Sequence, residues 1–224
     1  MADRAKHLGW DQVPASEVYQ AFNEIVASSE QAFASLADGK LARQVAGDIV
    51  HLITFTAGGR GGVYAFRWGV SLAYVPHEWV PKAKYHRTLK SARVALWEDV
   101  EFVVADPASP EVETCLVDIM HGAACMRSDL VRAWGKLQPA IRAFFSQSSS
   151  LEGVLESATA QTHRKWEGFR HSPDPGVVRA FTLARLGRLA EAESVLGEFI
   201  ASQKSLESPE ELMSVLKTIS RAEA

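Results

Sequence analysis

Gly58-Gly59-Arg60-Gly61-Gly62 sets one guanidinium among four glycines. Backbone N–H groups on so open a loop, with an arginine beside them, can grip an anion. A Walker-type phosphate cradle needs more: a strand, then G-x-x-x-x-G-K-[ST], then a helix whose N–H groups hold the phosphates. No Lys-Ser or Lys-Thr follows the cluster, and the next residues alternate with period two, which also excludes a Rossmann fingerprint. The cluster is therefore expected to be a hairpin loop whose glycines take positive φ at no steric cost. Anion capture through Arg60 is the alternative.

Other residue types of chemical interest are scattered. Lys82, Lys84, His86, Arg87, Lys90 and Arg93 surround Tyr85, and "HRKWEGFRH" (His163 to His171) has the same basic and aromatic mixture. Such mixtures can track a nucleic-acid backbone and stack its bases. A balanced overall charge argues instead for solvated loops. Cys115, Asp118, His121 and Cys125 carry zinc-ligating atoms, but on one straight helix they would span about 15 Å, too far for a common ion. They are expected to form a core stripe with two free, buried thiols. No G-x-S-x-G or H-E-x-x-H motif is present, and no paired carboxylates stand in a glycine- or histidine-rich context. His77 and His86 bracket a proline-containing loop with Glu78, a spacing that allows the two rings to meet. The candidate ligand-binding residues are Arg60, Arg67, Trp68, His86 and Arg87, with no catalytic residue, metal or cofactor expected.

The elements that must position these residues follow from periodicity. Val18, Phe22, Ile25, Val26, Ser29, Phe33 and Leu36 recur at helical spacing, which predicts a first helix from Pro14 to Asp38 with Gly39 as its left-handed stop. Leu41, Arg43 and Val45 then alternate with Ala42, Gln44 and Ala46, and Gly47-Asp48 can turn the chain. Ile49 to Ala57 is β-branched and aromatic, as a strand should be. In Val63 to Val75, Tyr64, Phe66, Trp68, Val70, Leu72 and Tyr74 share one face, and Ala65, Arg67 and Ser71 share the other. Ala92 to Asp106 offers one or two further short strands.

From Pro110 onward the pattern is helical. Val112, Cys115, Leu116, Ile119, Met120, Ala123 and Ala124 predict one helix. Ser128-Asp129 is suited to cap a second, which Pro139 would interrupt or kink. Ser146 to Ser150 is a cap or linker cluster, Leu151 to Trp166 a third helix, and His171 to Gly176 a loop. Val177 to Ile200 predicts two antiparallel helices turning at Gly187, and Ser208-Pro209-Glu210-Glu211 opens the last helix.

Bulk properties bound the class. The 224 residues carry 24 Lys+Arg against 27 Asp+Glu, a net charge of −3. Residues 1–108 hold 11 basic and 12 acidic residues, and 109–224 hold 13 and 15. Neither half is a basic arm or an acidic tail, so charge supports neither a nucleic-acid nor a membrane partner. "MADRAKHLGW" has no apolar core of a signal peptide, and no uncharged apolar run reaches the roughly 18 residues of a membrane span. A reducing, cytoplasmic setting is expected.

Two resemblances add to this. "GDIVHLITFTAGGRGGVYAFRWGVSLAYVP", followed by "WED" at Trp97, resembles an uncharacterised bacterial domain family across residues 15–106. Its pattern is a helix, a "GD" turn, a strand, a glycine/serine-rich loop and an "F-x-x-N-x-G-x" strand. Here "YAFRWGVSL" fills the last position, with Trp68-Gly69 where the family has Asn or Leu before its Gly. That family has no established activity, so the resemblance implies a fold class and no chemistry. "RAFTLARLGRLAEAESVLGEFI" looks like one tetratricopeptide helix pair, with Ala180, Ala184, Gly187 and Ala192 as its small residues. An array would need about three repeats.

The resulting expectation is an α+β protein: an N-terminal helix, an antiparallel sheet of four to five strands, then an all-helical C-terminal half packed on one sheet face. The domains are expected at 1–108 and 109–224. The expected function is a non-catalytic cytoplasmic binding or protein-interaction module, monomeric or dimeric. The alternative is a small-ligand or anion-binding protein, or an enzyme, using a groove near Arg60, Arg67 and Lys82–Arg93.

Overall fold

The computed structural model describes residues 11–37, 39–58, 62–99, 115–162, 173–203 and 206–221. It is an α+β fold. Helix α1 (Ala15–Phe22) continues into a π-helical turn at Asn23–Ala27. The strands are β1 (Ala34–Ala37), β2 (Lys40–Ala46), β3 (Ile49–Ala57), β4 (Val63–Leu72), β5 (Leu96–Asp99) and β6 (Val117–Asp118). They form an antiparallel sheet ordered β1-β2-β3-β4-β5, with β6 paired to the start of β4. The helices α2 (Ala123–Gln147), α3 (Leu151–Thr162), α4 (Pro175–Arg185), α5 (Leu189–Ser202) and α6 (Pro209–Arg221) follow.

The described residues gather into two compact units that interleave along the chain. The first takes those up to Arg43, Leu52–Trp68, and those between Trp97 and Ala143; the second takes Gln44–His51, Gly69–Leu96, and those from Phe144 on.

In the first unit the core is aromatic. Phe22 and Phe55 stack with centroids 5.3 Å apart, Phe55 meets Phe66 at 4.8 Å, and Phe66 meets Trp134 of α2 at 5.6 Å. Trp134 keeps its polar end satisfied by donating Nε1–H to the Ser29 hydroxyl at 3.0 Å, as a largely buried indole requires. The strand pattern predicted for Val63–Val75 is present over Val63–Leu72. Tyr64, Phe66 and Trp68 are buried while Ala65 and Arg67 are part-exposed. From Gly69 to Leu72 both faces are buried.

One predicted helix is cut short and another is replaced. The first ends by Ser29, and Ala34–Ala37 is a strand. The Ser28 and Ser29 hydroxyls donate to the backbone carbonyls of Glu24 and Val26, a local competition that disfavours further helix. Gly39 does adopt positive φ, at +64°, but in the β1–β2 hairpin, where Ala37 pairs with Lys40. The replaced helix is the stripe around Cys115. Cys115, Val117 and Ile119 are buried with period two, and Val117–Asp118 is strand. Asp129 does not cap a helix but lies inside α2, accepting the Asp118 backbone N–H at 3.2 Å. Helix α2 continues through Pro139.

In the second unit α4 is the central helix and packs on α3, α5 and α6. Its small residues Ala180 and Ala184 are buried, which allows that close approach. Asp174 caps α4 by accepting the Gly176 N–H at 2.8 Å, with Pro175 in the first turn, so the predicted loop ends there. Ser150 accepts the Gly153 N–H at the start of α3, the capping role expected of the serine cluster. Gly187 turns α4 into α5 at φ +77°, as predicted. No helix among the described residues is long and apolar enough to cross a membrane.

Candidate functional site

The segment after β4 builds a polar concavity in the second unit. Ser71 near the end of β4 accepts the Arg93 backbone N–H at 3.2 Å, and the Ala95 N–H bonds to the Val70 carbonyl at 2.6 Å. The C-terminal end of the Ala73–Val94 excursion is thus tied back to β4. Within it, the His77 N–H bonds to the Lys84 carbonyl and the Lys84 N–H to the Glu78 carbonyl. That short antiparallel rung folds the loop back around the cis Val80–Pro81 peptide. It also brings His77 and His86 face to face, with ring centroids 3.8 Å apart and planes 14° from parallel. Beyond them, Thr88 and Ser91 cap each other's backbone N–H groups and turn the chain toward Arg93.

A cavity of about 310 Å³ opens here, lined among others by Ser71, His77, Glu78, His86, Arg93 and Pro173. Glu78 is bound to Lys84 at 2.5 Å, with both side chains about half exposed. Its carboxyl is held below the usual range, first by the Lys84 hydrogen bond, then by the charges of Lys84, His77 and Arg93. The guanidinium of Arg93 therefore acts electrostatically on the cavity rim. Arg93 forms no ion pair among the described residues. His77 also borders a second hollow of about 370 Å³ with Trp79 and Glu207. There Trp79 donates its indole N–H to the Glu207 carbonyl at 2.7 Å.

The predicted site residues fall in different places. His86 lines the cavity. Arg87 is exposed and lies over the Tyr85 ring, with Cζ 4.6 Å from its centroid. In the first unit, Arg67 covers Trp97 with Cζ 4.0 Å from the ring, and its Nη2 is 4.0 Å from Asp99. Trp68 is a core residue with no exposure. Arg60, with Gly59 and Gly61, lies outside the described residues, as does His163–His171. Ser71 and His77 were not among the predicted binding residues, and Arg93 entered only as the end of the Lys82–Arg93 segment. The His77/His86 spacing was the available signal, whereas nothing local links Ser71 to Arg93.

The zinc-ligating residues are dispersed. Cys115 is buried and Cys125, expected to be buried, is exposed in the first turn of α2. Asp118 and His121 form a surface pair at 3.0 Å. Among the described residues no three His, Cys, Asp or Glu side chains gather as a metal site would require. An open, mostly apolar groove lies between α5 and α6, lined by Gly197, Ile200, Pro209, Met213 and Lys217. No family model, no curated protein and no solved structure matches this chain.

Proposed function

We propose that this chain is a non-catalytic cytoplasmic binding protein for a small polar ligand, held in the cavity beside His77, His86 and Arg93. The observation that supports this most is the stacked pair of imidazoles on the wall of a cavity of about 310 Å³. That volume is at the small end of ligand pockets, which combine a closely fitting wall with a few converging polar groups. The wall is supplied by Leu72, Val75 and Pro173, and the polar groups by Ser71, His86 and Arg93. The kinship of residues 15–106 to an uncharacterised bacterial domain family, proposed from sequence, adds no chemistry to this reading.

The test is a fragment screen on the full chain, followed through the histidine ring signals in ¹H–¹⁵N spectra. Binding should move the His77 and His86 rings together, and His86→Ala should abolish the response. A screen in which no fragment moves either ring at millimolar concentration would refute the proposal.

A further inference from the structure

We infer that the ligand of this cavity is an oxyanion, a carboxylate or phosphoryl group carried on a small molecule; this rests on the reading of the cavity as a ligand site. Two features point to negative charge. The first is the charge balance of the lining. Glu78 is the acidic side chain there, and its charge is engaged by Lys84 at 2.5 Å. Arg93 has no such partner among the described residues. A guanidinium presents several donors in a planar fork that matches a carboxylate or phosphate.

The second is Ser71, which is 1% exposed. Its oxygen accepts the Arg93 backbone N–H, while its own proton has no acceptor among the described residues. A buried hydroxyl without an acceptor is costly, and an oxyanion in the cavity would supply one.

Arg93 and Ser71 thus both bring hydrogens to the cavity wall, which suits an acceptor-only group.

The experiment titrates the full chain at constant ionic strength with inorganic phosphate, with acetate and with uncharged glycerol, following the histidine rings by ¹H–¹⁵N spectra. Phosphate or acetate should shift the His77 and His86 signals saturably, and glycerol should not. The tighter of the two anions identifies the group as phosphoryl or carboxylate. Arg93→Gln should weaken that anion by about tenfold or more, the scale of one lost charge-assisted bond. Arg93 is exposed, so an unchanged melting curve for R93Q is expected and separates binding from folding. Ser71→Ala should weaken the anion by a smaller factor. If glycerol shifts the rings and neither anion does, the oxyanion assignment falls and the ligand site survives. If none of the three shifts them, and the fragment screen is also silent, both fall. Equal affinity in the parent and R93Q would also overturn the assignment.

Discussion

Gly39 and Gly187 share a left-handed backbone, with φ of +64° and +77°, and differ in what surrounds the missing Cβ. Around Gly187 nothing lies within 4 Å. Around Gly39 a Cβ would run into the Phe55 carbonyl oxygen and come within 2.9 Å of the Tyr19 ring. The close approach is built in, because the Phe55 N–H bonds to the Gly39 carbonyl at 2.7 Å. Alanine at either position carries the left-handed penalty of about 1–2 kcal/mol. It recovers part of that, about 0.4–1 kcal/mol, by stiffening the unfolded chain. Gly187→Ala should therefore cost about 1 kcal/mol. Gly39→Ala adds an overpacking term of about 1–3 kcal/mol, since a backbone oxygen of a central strand cannot turn aside, for a total of about 3 kcal/mol. At roughly 2–4 °C per kcal/mol for a chain of this size, calorimetry should show Gly187→Ala melting about 2–4 °C below the parent and Gly39→Ala about 6–12 °C below it. Equal shifts for the two variants, or a larger one for Gly187→Ala, would refute the argument from space.

Three further outcomes are expected. Asp174→Ala should cost about 1 kcal/mol through loss of the α4 cap, whereas Asp174→Asn keeps an acceptor for Gly176. Burial raises the Asp174 carboxyl, with the Gly176 N–H partly opposing it. The folded chain thus binds that proton more tightly than the unfolded one, and this stabilisation is lost as pH rises through the folded value. Asp174→Asn should accordingly compare better with the parent at pH 7 than at pH 4, and denaturation curves showing the opposite trend would contradict it. Thr182 spends its proton on the Val178 carbonyl at 2.7 Å, so the Tyr74 hydroxyl donates to Thr182 at 3.0 Å. Tyr74→Phe should then cost about 1 kcal/mol, and a melting point equal to the parent's would count against that bond. Cys125 is exposed and Cys115 buried. A thiol reagent should modify one cysteine in the native protein and two in denaturant, with the native reaction lost in Cys125→Ser; two thiols reacting at one rate would overturn this.

Much of the fold was legible because it is written in local patterns. Ile49–Ala57 carries consecutive β-branched and aromatic residues, and it is a strand over that same range. Gly187 breaks a run of helix formers between two apolar stripes, and the turn is there. Ser208-Pro209-Glu210-Glu211 marks a helix start within four residues, and the helix begins at Pro209. The misreadings occurred where one stretch satisfies two periods. Phe33 and Leu36 extend a helical stripe from Val18, yet Phe33 is covered by the Arg43 guanidinium, 4.9 Å from its centroid, and Ala34–Ala37 pairs with β2. Gly39 fits a helix stop and a hairpin turn equally well, because both need positive φ.

By itself, then, the sequence determined the order and type of most elements, the balanced charge, and the possibility that His77 meets His86, since each depends on residues close along the chain. Tertiary structure decided what the chain could not announce. Val117–Asp118 became a strand because the start of β4 offered a partner at Val63 and Tyr64. Trp68, aromatic on a strand and hence a candidate for binding, became core because its face of the sheet is buried. Ser71 came to hold Arg93, 22 positions further along the chain. Pairing between distant segments is set by the burial and hydrogen bonding of the whole, and no local period encodes it.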